Sequence, residues 1–348
     1  MRRAACSSPT TATNGAQGPV AELRTGGGNG HGAILIWCLA LLAAGDLRAQ
    51  SRIAFVSDRE GNAEIYTVSP HGDNLKRLTD HPGLDLQPAW SPGGAELAFV
   101  SNREGRADIW LMQADGSGAR RLTNMVIGDK AVEFSHPSWL HRSRDTLVFQ
   151  SEPGVVFATG DIWLLEIDSM EPRRMDLTNG NASARYPIQG ASELLYIRVA
   201  LPGLLFERPT ALGVYGFSDV LASSPLSFNA RNIDWAPATG LLAFDAEGDI
   251  WMSGPYTQQA TNLTLGEGGL DPSWSPDGQE LVYVRDGMMQ IMATQIHQRD
   301  GMIEFAADGE KRALSQGRDP DWSPVLEAAT SVRHASWGQI KGRESDER

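Results

Sequence analysis

The chain has 348 residues and a formal net charge of -13, from 43 acidic and 30 basic side chains. Such acidity argues against a partner that is nucleic acid or anionic lipid. Its two cysteines, Cys6 and Cys38, both fall within residues 1–49, so residues 50–348 hold neither a disulfide nor a thiolate metal ligand.

Residues 1–49 read as a signal peptide with a long polar prefix. The apolar run AILIWCLALLAA, Ala33–Ala44, follows Arg2, Arg3 and Arg24 and precedes DLRAQ, a pattern that predicts export and processing after Ala49. The run is too short to cross a bilayer as a helix, so no stable membrane insertion is expected after processing. Cys38 sits in the middle of the run beside the bulky Trp37, unlike a lipid-modified cysteine. Without the leader the formal charge becomes -15, because four arginines and two acids leave with it.

Residues 50–329 read as one repeat domain. Six strand-like runs recur: RIAFVSD at Arg52, ELAFVSN at Glu96, DTLVFQS at Asp145, ELLYIRV at Glu193, LLAFDAE at Leu241 and ELVYVRD at Glu280. Their aromatic positions, Phe55, Phe99, Phe149, Tyr196, Phe244 and Tyr283, are 44, 50, 47, 48 and 39 residues apart, the period of a propeller blade. A second element follows each run, opening on Ile65-Tyr66, Ile109-Trp110, Ile162-Trp163, Ile250-Trp251 or Ile291-Met292, with LGVYGF at Leu212 as the loosest copy. Turns rich in Gly and Asp come next, HGDN at His71, ADGSGA at Ala114 and ADGEK at Ala307. A short element then ends in Leu78-Thr79, Leu122-Thr123, Leu177-Thr178, Leu263-Thr264 or Leu314-Ser315. Before each next run stands a Trp motif: QPAWSPGGA at Gln87, HPSWLHRSR at His136, IDWAPATG at Ile233, DPSWSPDGQ at Asp271 and DPDWSPV at Asp319, with YPIQGAS at Tyr186 as a weaker version. Recurrence at this spacing marks the tryptophans as packing core.

The domain begins with a second strand lacking its first, RIAFVSD, and ends with a first strand lacking its second, DPDWSPV. Joining them completes a composite blade and removes two unpaired edges. The fold expected is therefore all-β: a six-bladed β-propeller of four-stranded antiparallel blades, closed by N- and C-terminal strands. Residues 330–348 read as a polar, solvated tail. The divergent fourth unit, Arg198–Phe228, reads as the same blade with drifted strands and a longer hairpin.

The stretches DIWLMQADGSGARRLT, Asp108–Thr123, and DPSWSPDGQELVYV, Asp271–Val284, resemble the TolB-type β-propeller repeat, of the WD-repeat-like group. The resemblance covers Ser51–Pro324 and is more specific for fold than for function. It implies an exported, periplasmic or secreted protein that works through protein contacts within the envelope-spanning Tol-Pal system, at one mouth of the propeller channel. The family's type member carries an α/β domain ahead of its propeller. Here little lies between the leader and RIAFVSD, so TolB-like describes the expectation.

Catalytic motifs are missing. There is no G-x-S-x-G elbow, no H-E-x-x-H, no EF-hand loop and no Gly-rich phosphate fingerprint, so no cofactor is expected. His71, His81, His136, His141, His297 and His334 are scattered, without zinc-ligand spacing. Asp85, Glu133, Asp271 and Asp319 open or precede first strands, which line a propeller channel. Two such carboxyls about 5 to 10 Å apart are the requirement for an alternative function, a lyase or glycoside hydrolase acting on carbohydrate at the channel mouth. The preferred reading is a monomeric, non-catalytic propeller that binds a protein or peptide of the cell envelope. Its partner-binding residues are expected at the mouth holding Asp85, Glu133, Tyr186, Asn232, Asp271 and Asp319.

Overall fold

The structure is a computed structural model. It describes residues 51–127, 129–140, 145–152, 161–175, 182–189, 193–200, 210–216, 220–224, 230–254, 260–299 and 302–323, with backbone alone within 182–224, 295–299 and 302–310. The expected leader and tail lie outside these residues. So do His141, His334 and the LPGLLF cluster of the divergent unit.

The chain folds as an all-β propeller of small antiparallel sheets. Strand pairing gives six four-stranded sheets, numbered here in chain order from the composite one. The first joins Arg318–Trp322 to Ile53–Ser57, Glu64–Val68 and Lys76–Arg77. The second runs Asp85–Trp90, Glu96–Ser101, Asp108–Gln113, Arg120–Arg121, and the third Phe134–Trp139, Thr146–Ser151, Ile162–Glu166, Arg173–Met175. The fourth, Ala182–Gln189, Glu193–Ala200, Thr210–Gly216, Val220–Ser224, comes from the divergent unit and keeps the same order. The fifth is Arg231–Ala236, Leu241–Ala246, Asp249–Ser253, Ala260–Asn262, and the sixth Leu270–Trp274, Glu280–Arg285, Met288–Arg299, Met302–Gln316. Each inner strand packs on the inner strand of the next sheet, and that of the sixth packs on that of the first.

The second strand of a sheet is apolar on both faces because both faces are covered. IAFVS, TLVFQS and LLAFDA are buried throughout, and ELAFVS at all but its first residue. One cross-strand pairing repeats: Phe55 opposite Tyr66, Phe99 opposite Trp110, Phe149 opposite Trp163 and Phe244 opposite Trp251. These aromatic pairs fix register, since a one-residue slip would put every side chain on the wrong face. The core fills the slots between sheets. Ala54, Ile65, Trp90, Leu97 and Trp110 seal the first against the second, while Phe55, Val282, Ile291 and Trp322 seal the sixth against the first.

The Leu-Thr endings have a structural reason. Thr79, Thr123 and Thr264 accept the N–H of Ile65, Ile109 and Ile250 at 2.9–3.1 Å. Their hydroxyls donate to Glu64, Asp108 and Asp249 at 2.5–2.8 Å, tying outer strand to third strand.

One turn differs from expectation. ADGEK at Ala307 lies inside the strand Met302–Gln316, and the pairing Arg299 opposite Met302 places the reversal further out. Thr294 faces Ala307 and Met292 faces Lys311, so Asp-Gly here supplies the extra residues of a bulge in a hairpin much longer than its counterparts.

Candidate functional site

The inner strands surround a channel with a cavity of about 420 Å³. Its lining is set by a backbone irregularity that recurs in each inner strand. Pairing skips from Leu86 to Ala89, Ser135 to Ser138, Arg231 to Asp234 and Leu270 to Ser273, with a matching shift opposite Arg318–Asp321. The bulged residue three before each Trp has a left-handed φ: Gln87 50°, His136 51°, Asn232 44°, Asp271 51° and Asp319 48°. Asn, Asp and His tolerate this region better than most residues. The next position is Pro in four of the five, which costs no hydrogen bond because the bulge is unpaired there.

The bulge turns these residues toward their neighbours. His136 donates its N–H to the Gln87 side-chain oxygen at 2.8 Å, and the Gln87 N–H meets the Asp319 carboxylate. The Asp319 N–H meets Asp271, which also receives the Asn232 amide at 2.6 Å. Each of these bonds crosses from one sheet to the next. A second tier lies one residue before each Trp. Asp321 accepts the Trp90 N–H at 2.6 Å, Asp234 accepts the Trp274 N–H at 2.6 Å, and the Ser273 hydroxyl accepts the Trp322 N–H at 3.0 Å. The Trp139 indole closes the same kind of seam by donating to the Ala89 carbonyl at 3.0 Å.

Asp245 is buried and the other four carboxyls, Asp234, Asp271, Asp319 and Asp321, are partly exposed along the channel, and their desolvation raises their affinity for protons. Burial pushes Asp321 up to about 8, with the Asp234 charge adding to it against the lowering Trp90 bond. Burial likewise pushes Asp234 up to about 6 despite bonds from Trp274, Trp235 and Ser273. Asp271 is raised by burial and then by the charges of Asp319 and Asp245, while Asp319 and Asp245 are raised by burial. Among the described residues no group of three His, Cys, Asp or Glu is arranged to hold a metal ion.

A propeller of four-stranded sheets with a Trp on five of its six inner strands is shared by many proteins, and sequence likeness tells the families apart. Residues 49–184 match the model of the TolB beta propeller domain. This stretch is similar to the TolB-type propeller repeat. The Tol-Pal system protein TolB of Syntrophotalea carbinolica is 45% identical over 47 residues, 14% of this chain and 11% of that protein. The same protein of Geobacter sulfurreducens is 49% identical over 46 residues, 13% of this chain and 11% of its own length. The matched stretch thus spans about a tenth of these curated relatives. In structure, TolB from Acinetobacter baumannii superposes with a TM-score of 0.57 at 18% identity, over 79% of this chain and 67% of that one. Hydrazine synthase of Kuenenia stuttgartiensis gives 0.58 at 14% identity, over 80% and 47%. Identities this low speak for the fold alone.

The six expected partner-binding positions separate in the structure. Asn232, Asp271 and Asp319 line the channel, as bonded members of the upper tier. Tyr186 lies on the corresponding inner strand of the fourth sheet, with its side chain outside the described residues. Glu133 is exposed on the connection leading into the third sheet. Asp85 differs from Glu133, Asn232, Asp271 and Asp319 in being fully buried. It accepts from Ser101 Oγ at 2.6 Å and pairs with Arg103 at 2.6 Å, whose guanidinium stacks 4.7 Å from the centre of the Trp110 indole.

The rim itself holds residues that sequence reasoning misses. Inner strands start at the end of the ring that carries the sheet-to-sheet connections and the second-to-third hairpins. Of the eight exposed large apolar residues among those described, Leu84, Val126, Ile127, Leu265, Leu270 and Met288 belong to those segments, and only Leu75 and Met170 to hairpins at the opposite end. Leu265 is 82% exposed with a φ of 52°. Its loop is nonetheless held, because Asp249 accepts the N–H groups of Gly266 and Gly268 and Asn262 accepts that of Leu265.

Proposed function

We propose that this chain is an exported, monomeric, non-catalytic recognition propeller of the cell envelope, its six sheets closed as blades of one ring, that binds a protein or peptide on the rim carrying the inter-sheet connections. The observation that carries this reading is the concentration of exposed apolar side chains at that rim, where loops vary over a shared scaffold. The name of its curated relatives, Tol-Pal system protein, supports a periplasmic partner rather than a small substrate. The carbohydrate-cleaving alternative draws less support, because Asp271 and Asp319 are engaged with neighbouring strands and neither stands free as acid or nucleophile.

The test is affinity capture from an envelope extract with the wild type, a Leu84→Asp/Leu265→Asp/Leu270→Asp variant, and a Leu75→Asp control at the opposite end. A partner held by the wild type and the control, and lost at least tenfold by the triple variant at unchanged melting temperature, is the expected result. Equal capture by all three proteins overturns the assignment of that rim.

A further inference from the structure

Four of the sheets place a carboxylate at the head of the third strand, one residue before its isoleucine: Glu64, Asp108, Asp161 and Asp249. In the first three sheets an arginine on the fourth strand neutralises it. Arg77 stands opposite Tyr66 and reaches Glu64 at 3.1 Å, Arg174 stands opposite Trp163 and reaches Asp161 at 3.1 Å, and Arg121, opposite Trp110, pairs with Asp108. In the fifth sheet the same register position, opposite Trp251, holds Asn262. The carboxylate has been kept and its arginine has not. The sixth sheet, with Gln290 at the head, has no charge there to balance.

Asp249 is bonded, though only by uncharged donors. Asn262 Nδ2 donates to it at 2.8 Å, Thr264 Oγ1 at 2.7 Å, and the N–H groups of Gly266 and Gly268 at 3.0 and 3.1 Å. Against the desolvation penalty these bonds hold its pKa below the usual aspartate value, so it is charged at neutral pH. Both oxygens already accept N–H or O–H donors. That suits an ammonium or guanidinium standing alongside better than a dehydrated metal ion, which needs the oxygens to itself.

The same donors wrap the connection around Asp249 and leave Leu265 82% and Leu270 48% exposed. The Gly269 N–H ties this connection to the Gly248 carbonyl at 2.8 Å, beside the exposed Glu247. Among the described residues, the cations that reach the connection are Arg285 and Lys311, and both bind Glu267, at 2.9 and 2.6 Å. An anion that three sister sheets neutralise from within is thus left, half-buried, next to apolar surface.

We propose that the segment recognised at this part of the rim is basic: a lysine or arginine of the partner supplies, at Asp249 and Glu247, the positive charge that the fifth sheet lacks, while an adjoining apolar side chain packs on Leu265 and Leu270. This rests on the rim reading above and adds the chemistry of what the rim takes. An exposed ion pair contributes modestly to affinity and more to rejection of acidic competitors.

The probes are three short dye-labelled peptides in which leucine alternates with lysine, with glutamine or with glutamate. They are titrated by fluorescence anisotropy into the wild type, Asn262→Arg, Glu247→Gln and a control at the opposite end, Asp115→Asn/Asp168→Asn. The wild type should bind the lysine peptide about tenfold or more tightly than the glutamate peptide, a difference that shrinks at high salt. Asn262→Arg, which restores the sister-sheet ion pair, and Glu247→Gln should each weaken the lysine peptide about two- to fivefold. The glutamine peptide, which reports the apolar contact alone, should be unaffected, and the control should bind as wild type does. A lysine peptide held no better than the glutamate one overturns the inference. So does equal affinity in the wild type and Asn262→Arg, a loss shared equally by the lysine and glutamine peptides, or an equal loss in the control. Should Asn262→Arg not fold, Glu247→Gln takes its place under the same outcomes. Envelope capture separates the two readings. A partner lost by Leu84→Asp/Leu265→Asp/Leu270→Asp yet held equally by Asn262→Arg and Glu247→Gln overturns the basic-segment inference alone, and a partner indifferent to the triple variant overturns the rim reading itself.

Discussion

Removing the Trp322 indole tests the closure of the ring at the place where chain ends meet. Trp322 is 5% exposed and fills the slot between the sixth and first sheets, against Ile53, Phe55, Val282 and Ile291. Its indole N–H donates to Ser51 Oγ at 3.2 Å, and its strand is bonded to Ile53 and Ala54. Truncating a buried Trp to Ala costs about 3 to 5 kcal/mol where the site cannot collapse, and this slot is walled by two sheets whose spacing other residues maintain. For a domain of this size 1 kcal/mol moves the midpoint by about 2 to 4 °C. Trp322→Ala should therefore lower the melting temperature by about 6 to 20 °C, followed by far-ultraviolet circular dichroism so that the lost indole does not alter the signal. Trp251→Ala is the comparison, since Trp251 lies on a third strand and is only half-buried. A Trp322→Ala shift smaller than that of Trp251→Ala would refute the view that the composite sheet is sealed through this slot.

Two further outcomes are expected. Arg103→Ala strands the fully buried Asp85 carboxylate with Ser101 as its remaining side-chain donor, and should cost about 3 to 5 kcal/mol in urea unfolding. Adding Asp85→Asn should recover part of that loss, and a single variant as stable as wild type would show that Asp85 is not held by this pair. Leu265→Asn should leave stability unchanged or raise it by up to about 1 kcal/mol, because Asn tolerates positive φ better than Leu, while weakening partner capture. A melting temperature several degrees lower would mean that Leu265 packs in the fold and does not serve a partner.

The repeat is legible in the sequence because its core is dry on both faces. All six second strands carry an aromatic, Phe or Tyr, at the same place, from Phe55 to Tyr283, and both ends of the repeat region announce their missing partners through RIAFVSD and DPDWSPV. The channel is legible only in position. Asn232, Asp271 and Asp319 read in sequence as a surface for a partner, while the structure employs them between sheets. The signal is present as a polar residue three before Trp, usually followed by Pro, but its meaning depends on a bulge that aims side chains at a sheet about 40 residues away, as from Asn232 to Asp271. Asp85 misleads for a related reason: at the head of an inner strand it looks solvent-facing until Arg103, from the adjacent hairpin, folds over it. ADGEK reads as a turn because Asp-Gly satisfies turns and bulges alike.

This division separates what the ring needs from what a partner reads. Residues at the two tiers are tied to ring geometry, since each bond spans one sheet to the next, and altering one disturbs closure before it disturbs recognition. The rim is free of that duty. Leu265 makes the contrast concrete: a bulky apolar side chain left 82% exposed, on backbone that leucine adopts only at a cost. Gly266 and Gly268, both at positive φ, wrap the loop around Asp249, so the strain is held by the same carboxylate that bonds Thr264 within the fifth sheet. Under the proposed function, a residue that gains nothing from the fold, on a loop the fold holds rigid, is accounted for by contact with the partner. The connection rim is thereby singled out on its own residues, without any appeal to the channel.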